Sequence, residues 1–157
     1  MLDMEFIPLM LKILALILMV TLPLSCPAQA REKIAGPVIA DIIRVVDGDT
    51  ILVEAQPWPQ QRIEVLVRIR GIDAPEIHSR CSSIRAGGEE ARLALEAMAS
   101  SSPNVELTNI SGDKYFGRIV ADVTLSDGRD IGSDLLLAGL AQPYNGGRKS
   151  IPPCKAD

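Results

Sequence analysis

Histidine is almost missing from this sequence: His78 is its single representative, beside three cysteines. A zinc centre of nitrogen and sulfur ligands has too few donors to be built, and His78 reads as an exposed loop residue. Aromatic side chains make up only 3% of the chain. Its one tryptophan, Trp58, lies between two prolines, where loop packing is the expected duty. Basic charge is not in excess either, since the formal net charge is -4. Tight nonspecific duplex binding relies on many cationic phosphate contacts, so the balance argues against it. Internal repeats and low-complexity tracts are also lacking, and 157 residues leave room for one domain and little more.

What is present starts with an apolar leader. ILALILMVTLPL, residues 13–24, follows Lys12 and precedes SCPAQA. That is the order of a secretory signal peptide, with cleavage expected after Ala30. Two alternatives stay open: extension back to Phe6 gives a retained membrane anchor, and Cys26 gives a lipoprotein. Asp3 and Glu5 fit poorly in a basic leader, and a start at Met10 would remove them. Residues 31–157 are expected to form a single mature domain, secreted or periplasmic, with 15 basic and 18 acidic side chains. It keeps Cys81 and Cys154, which in an oxidising compartment are expected to pair as a disulfide. Two free thiols, or a bond to a partner molecule, are the alternatives.

Val38 to Val46, VIADIIRVV, is rich in β-branched residues and meets Asp47-Gly48, a hairpin turn signal. Thr50 to Val53 resumes as a strand. Ala55 to Arg62, with two prolines, is expected to be a loop or wide turn. Ile63 to Gly71 alternates in strand period and puts Arg68 and Arg70 on one face, which must look into solvent or a charged cleft. Residues 77–86 read as irregular and Glu89 to Met98 as the main helix. A shorter helix spans about residues 131–139, with Leu135, Leu136 and Leu137 on its buried side. Val105 to Leu107 and Gly117 to Val123 are strands around the turn SGDKYF. The tail from Pro143 shows no clear element, and Cys154 would fasten it. This order predicts a mainly β, α+β fold: a small five-stranded barrel capped by helices.

Three acids invite chemistry. Asp47 has a turn to make, but Asp49 has no such duty, and Asp73 and Glu76 flank the rigid Pro75. Carboxylates that converge repel one another and call for a hard cation with oxygen ligands, calcium or magnesium. Arg68 lies on the strand feeding that loop and Arg118 opens a later one; guanidinium groups grip phosphate oxygens in bidentate geometry. Taken singly, each residue also has an ordinary explanation as a turn residue, a solvated strand end or a surface ion pair.

Five blocks taken together are more specific. They are VVDGDTILV (Val45 to Val53), VRIRGIDAPE (Val67 to Glu76), GEEA (Gly88 to Ala91), DKYFGRIVADV (Asp113 to Val123) and LLLAGLA (Leu135 to Ala141). In this order they resemble the staphylococcal nuclease (thermonuclease) family over residues 38–144. The resemblance implies a barrel like that of oligonucleotide-binding proteins and calcium-dependent hydrolysis of single-stranded or locally melted DNA or RNA, leaving a 3'-phosphate. It implies Asp49 and Asp73 as metal ligands with the backbone carbonyl of Ala74, Glu76 as general base, and Arg68 and Arg118 as phosphate clamps. Tyr115 matches one ring expected beside the nucleotide, and Tyr144 lies near the place of another. Lys114 and Arg70 are expected to be solvated or to line the substrate approach. Phe116 stands as an extra residue in the DKY-GR block, where a shifted register would misaim Arg118. Two further readings stay open: a binding barrel without catalysis, and a membrane-tethered structural protein.

Overall fold

The computed structural model of the chain describes residues 33–147, 149 and 153–154. The expected leader over residues 1–30 lies outside them. The elements are β1 (Lys33–Ile34), β2 (Val38–Asp47), β3 (Thr50–Trp58), β4 (Gln61–Ile69), β5 (Ile72–Asp73), α1 (Ser82–Ser101), β6 (Asn104–Gly112), β7 (Arg118–Leu125), α2 (Ile131–Leu137) and β8 (Gln142–Pro143).

The sheet runs β1-β6-β2-β3-β4-β7, and a further β6–β7 pairing closes it. Lys33 and Ile34 pair with Ser111 and Ile110, while Val38 to Asp41 continue along the same strand from Leu107 to Asn104. β1 and β2 are thus one interrupted strand, and the closed unit is the expected five-stranded barrel. Along β3 the alternation Ile51, Val53, Ala55 points inward and is buried; β4 contributes Val67 and Ile69, and β7 contributes Ala121, Val123 and Leu125. Each fully buried Ile or Leu is worth about 1.5–3 kcal/mol, so this lining supplies most of the drive to close. β6 breaks the two-residue period between Leu107 and Ile110, where a register shift against β7 and the positive φ of Asn109 (49°) mark a bulge.

Three expectations are corrected. Ala55 to Arg62 is not a loop, because β3 and β4 continue as a hairpin to a tight turn at Pro59-Gln60. The pairing skips between Ala55 and Trp58, so Pro57 sits where no regular ladder bond is required. The main helix starts at Ser82, within the span read as irregular. In α2, Leu135 is buried but Leu137 is 86% exposed. Three consecutive helical residues turn through far more than one face.

The expected disulfide between Cys81 and Cys154 is present, with a Cα–Cα distance of 5.7 Å. It joins Cys81, the residue before α1, to Cys154 across 73 positions.

Candidate active site

α1 is pressed onto two turns by small residues. A Cβ at Gly48, in the β2–β3 turn, would lie 2.7 Å from the Ala91 methyl and 2.8 Å from that of Ala74. A Cβ at Gly88 would lie 2.5 Å from the Pro75 carbonyl oxygen and 3.0 Å from the Ile77 nitrogen. These close approaches hold the Asp47–Asp49 turn beside the Asp73–Glu76 loop. Asp47 makes the turn, accepting from the Gly48 N–H at 2.7 Å, and its burial pushes the carboxyl up from its ordinary value.

Asp49 and Asp73 are buried, and Arg68 lies between them. Its Nη2 is 2.9 Å from Asp49 Oδ2 and 2.6 Å from Asp73 Oδ1, and Nη1 donates to Asp49 Oδ1 at 3.1 Å. Asp49 also accepts from the Thr50 hydroxyl at 2.8 Å and the Ala74 N–H at 3.2 Å. Burial alone would raise the Asp73 carboxyl. Hydrogen bonds from Lys149 and Arg68 outweigh that and hold it below the ordinary carboxylate range. Burial likewise works against the Arg68 charge, and the Asp49 and Asp73 carboxylates overcome it, raising the guanidinium above its ordinary value.

Arg118 reaches the same cleft through the parallel pairing of β4 with β7. Leu66 pairs with Arg118 and Arg68 with Val120. Residues two apart share a face, so both arginines project from the same side of adjacent strands. Phe116 does not disturb this register. The Asp113 N–H donates to the Arg118 carbonyl at 3.1 Å and the Arg118 N–H to the Tyr115 carbonyl at 3.3 Å, closing a turn that leaves Phe116 fully exposed. Arg118 pairs with Asp113, and its guanidinium carbon stands 4.8 Å from the Tyr115 ring centre. Lys114 lies at the same distance over that ring.

The cleft, of about 740 Å³, is lined by Asp49, Arg68, Glu76, Tyr115, Arg118 and Tyr144 among others. β8 pairs with β5, and the Tyr144 N–H donates to the Gly71 carbonyl at 2.8 Å, which brings the Tyr144 ring 5.6 Å from the Arg68 guanidinium carbon. Glu76 is on the rim, with its side chain 58% exposed. His78 is exposed, as expected.

Two residues do more than the sequence indicated. Arg70 was expected to be solvated or to line the substrate approach; it does line the cleft, and its Nη2 also donates to the Asn109 carbonyl at 2.5 Å, to Ser111 Oγ at 2.9 Å and to the Val120 carbonyl at 2.9 Å. It fastens the β6 bulge to β7. Lys149, which no motif in the sequence singles out, places its ammonium 2.8 Å from Asp73 Oδ1 and 2.5 Å from Glu76 Oε1. Only the spacing of five residues from Cys154 hinted that this lysine would be held near the loop.

Among the described residues no three acidic, histidine or cysteine side chains form a cluster able to hold a metal by themselves. The donors present are two buried carboxylates and the adjacent Ala74 carbonyl, all oxygen, and an ammonium already sits against Asp73. That chemistry suits a hard divalent cation rather than a soft one.

A sequence model of the family described as "Staphylococcal nuclease homologue" matches residues 66–153, more than half of the chain. The match includes Arg68, Asp73, Glu76 and Arg118 and begins after Asp49. No curated protein matches the sequence.

Proposed function

The chain belongs to the staphylococcal nuclease homologue family, and from that premise we propose that it is a calcium-dependent endonuclease of single-stranded or locally melted DNA or RNA. Membership implies, in general, a nuclease-like fold, a metal-dependent mechanism and binding of nucleic acid. The finer reading is supported above all by the placement of Arg68 and Arg118 on one face of adjacent strands, beside two buried carboxylates.

Asp49, Asp73 and the Ala74 carbonyl would hold the calcium ion, which supplies a Lewis acid for a phosphoryl oxygen. Arg68 and Arg118 donate to the equatorial oxygens of the scissile phosphate, whose charge grows as water attacks. Glu76, on the rim, orients that water and takes its proton; as the new oxygen–phosphorus bond forms, the bond from phosphorus to the 5'-oxygen breaks, leaving a 3'-phosphate and a 5'-hydroxyl that takes its proton from solvent. Tyr115 and Tyr144, each beside a guanidinium, offer ring faces to flanking bases. An unpaired strand can present its bases to them, whereas a duplex keeps its bases stacked.

The test is cleavage of denatured DNA by the oxidised protein with calcium or with a chelator. Cleavage should require calcium, and Arg118→Ala should lower kcat by about 10²–10³-fold, with Glu76→Gln also impaired. Cleavage indifferent to chelator would sink the calcium reading. Calcium binding with intact substrate would leave a binding barrel without catalysis.

Export to an oxidising compartment, secreted or periplasmic, is part of the proposal; the Cys81–Cys154 bond supports it. N-terminal sequencing of the protein from cells should find Arg31 first.

A further inference from the structure

We propose that Lys149 is an internal counter-ion of the metal site, which a divalent cation must displace in order to bind. The inference rests on the metal reading given under Proposed function.

The contact is well built. One ammonium bridges Asp73 Oδ1 at 2.8 Å and Glu76 Oε1 at 2.5 Å. Asp73 Oδ1 also accepts from Arg68 Nη2 at 2.6 Å. A carboxylate oxygen has two lone-pair directions, and both are taken here by cationic nitrogens. The other oxygen, Oδ2, faces the Gln142 amide at 3.5 Å. A metal ion approaching Asp73 through Oδ1 therefore meets a saturated acceptor until the ammonium leaves.

The chain before Lys149 is shaped to deliver it. β8 is anchored on β5, and the Tyr144 hydroxyl donates to the Gly147 carbonyl at 2.9 Å, closing a small loop. Gly146 and Gly147 hold φ of 92° and 89°, values that other residues adopt only with strain. Five positions after Lys149, Cys154 is bonded to Cys81, which follows Glu76 in the chain. The lysine thus lies in sequence between two fixed points, Tyr144 and Cys154.

Charge makes the two cations alternatives. Without a metal, Asp47, Asp49 and Glu76 line one cleft with Arg68 and Lys149, Asp73 lies against both cations, and the ammonium relieves the repulsion among these carboxylates. A divalent ion supplies more charge at the same oxygens, and the ammonium then becomes a like-charged neighbour. Lys149 has the means to go: its side chain is already 35% exposed.

The experiment pairs calcium titration by calorimetry with chemical labelling, on the full chain with its disulfide intact. If the docked form outnumbers the open form about ten to one, Lys149→Gln should lower the calcium Kd about tenfold. Acetylation of Lys149 by an N-hydroxysuccinimide ester, followed by mass spectrometry, should rise several-fold when calcium is added to the natural protein. Tighter binding by the variant with labelling unchanged by calcium would reduce Lys149 to a distant charge and overturn the proposal. Equal affinities would overturn it while leaving the metal reading intact. Absence of calcium binding in both proteins would overturn the metal reading and the inference with it.

Discussion

Gly87 and Gly88 are neighbours in the same helix, yet adding one methyl to each should move stability in opposite directions. Replacing a helical glycine by alanine gains about 0.5–1 kcal/mol from backbone entropy alone. At Gly87 the new Cβ would lie 3.5 Å from Pro75 Cγ, an ordinary contact, so the gain should survive. At Gly88 it would lie 2.5 Å from the Pro75 carbonyl oxygen, a backbone atom that cannot rotate aside. Overpacking of this kind costs about 1–3 kcal/mol. The two variants should then differ by about 2 kcal/mol, or roughly 8 °C in Tm for a domain of this size. Gly87→Ala should be the more stable and Gly88→Ala the less, read by thermal unfolding in parallel. The clash also pushes on the loop carrying Asp73 and Glu76, so Gly88→Ala should lose nuclease activity out of proportion to its Tm. A Gly88→Ala protein as stable as Gly87→Ala would refute the claim that α1 is held at contact distance from that loop.

Acid should unfold the protein partly through Asp73 and Asp113. Burial works against both, but Lys149 and Arg68 hold Asp73, and the Lys114 N–H and Arg118 hold Asp113, below the ordinary carboxylate value. Their folded-state values are depressed, so their stabilisation is present above about pH 4 and is lost as pH falls further. Asp113→Asn should flatten that decline in urea midpoints taken between about pH 5 and pH 2; an unchanged slope would count against it. Reducing the Cys81–Cys154 bond, which closes 73 positions, should cost about 4 kcal/mol in the chain-entropy model, seen as a lower Tm in dithiothreitol. Removing Arg68 leaves two buried carboxylates without their shared cation, so Arg68→Ala should cost about 3–5 kcal/mol. Calcium should restore more Tm to that variant than it adds to the natural protein.

The barrel could be read from the sequence because its local signals agree with one another. Asp47-Gly48 sits between two β-branched runs, and Arg68 with Arg70 marks a strand face that turned out to line the cleft. The misreadings arose where tertiary structure overrode local preference. Pro57 looks like a strand breaker, but a skipped pairing removes the need for its missing N–H. Ser82 to Gly88 contains poor helix formers, yet the helix begins there because its glycines let it pack against residues 75–77. Lys149 was invisible for another reason. Its position depends on two glycines at positive φ and on a disulfide, and no periodicity encodes such a contact.

The β4–β7 pair is the one parallel neighbour relation among the described strands, and parallel partners cannot be joined by a short turn. Arg68 and Arg118 are 50 positions apart in the chain, with α1 and β6 between them. A partly folded or freshly synthesised chain can form the β2–β3–β4 meander early, but that intermediate holds only half of the arginine pair. The proposed hydrolysis therefore needs the closed barrel, with β7 paired to β4. Under the proposed export, a chain still extended during passage would be harmless to the nucleic acid of the cell that made it.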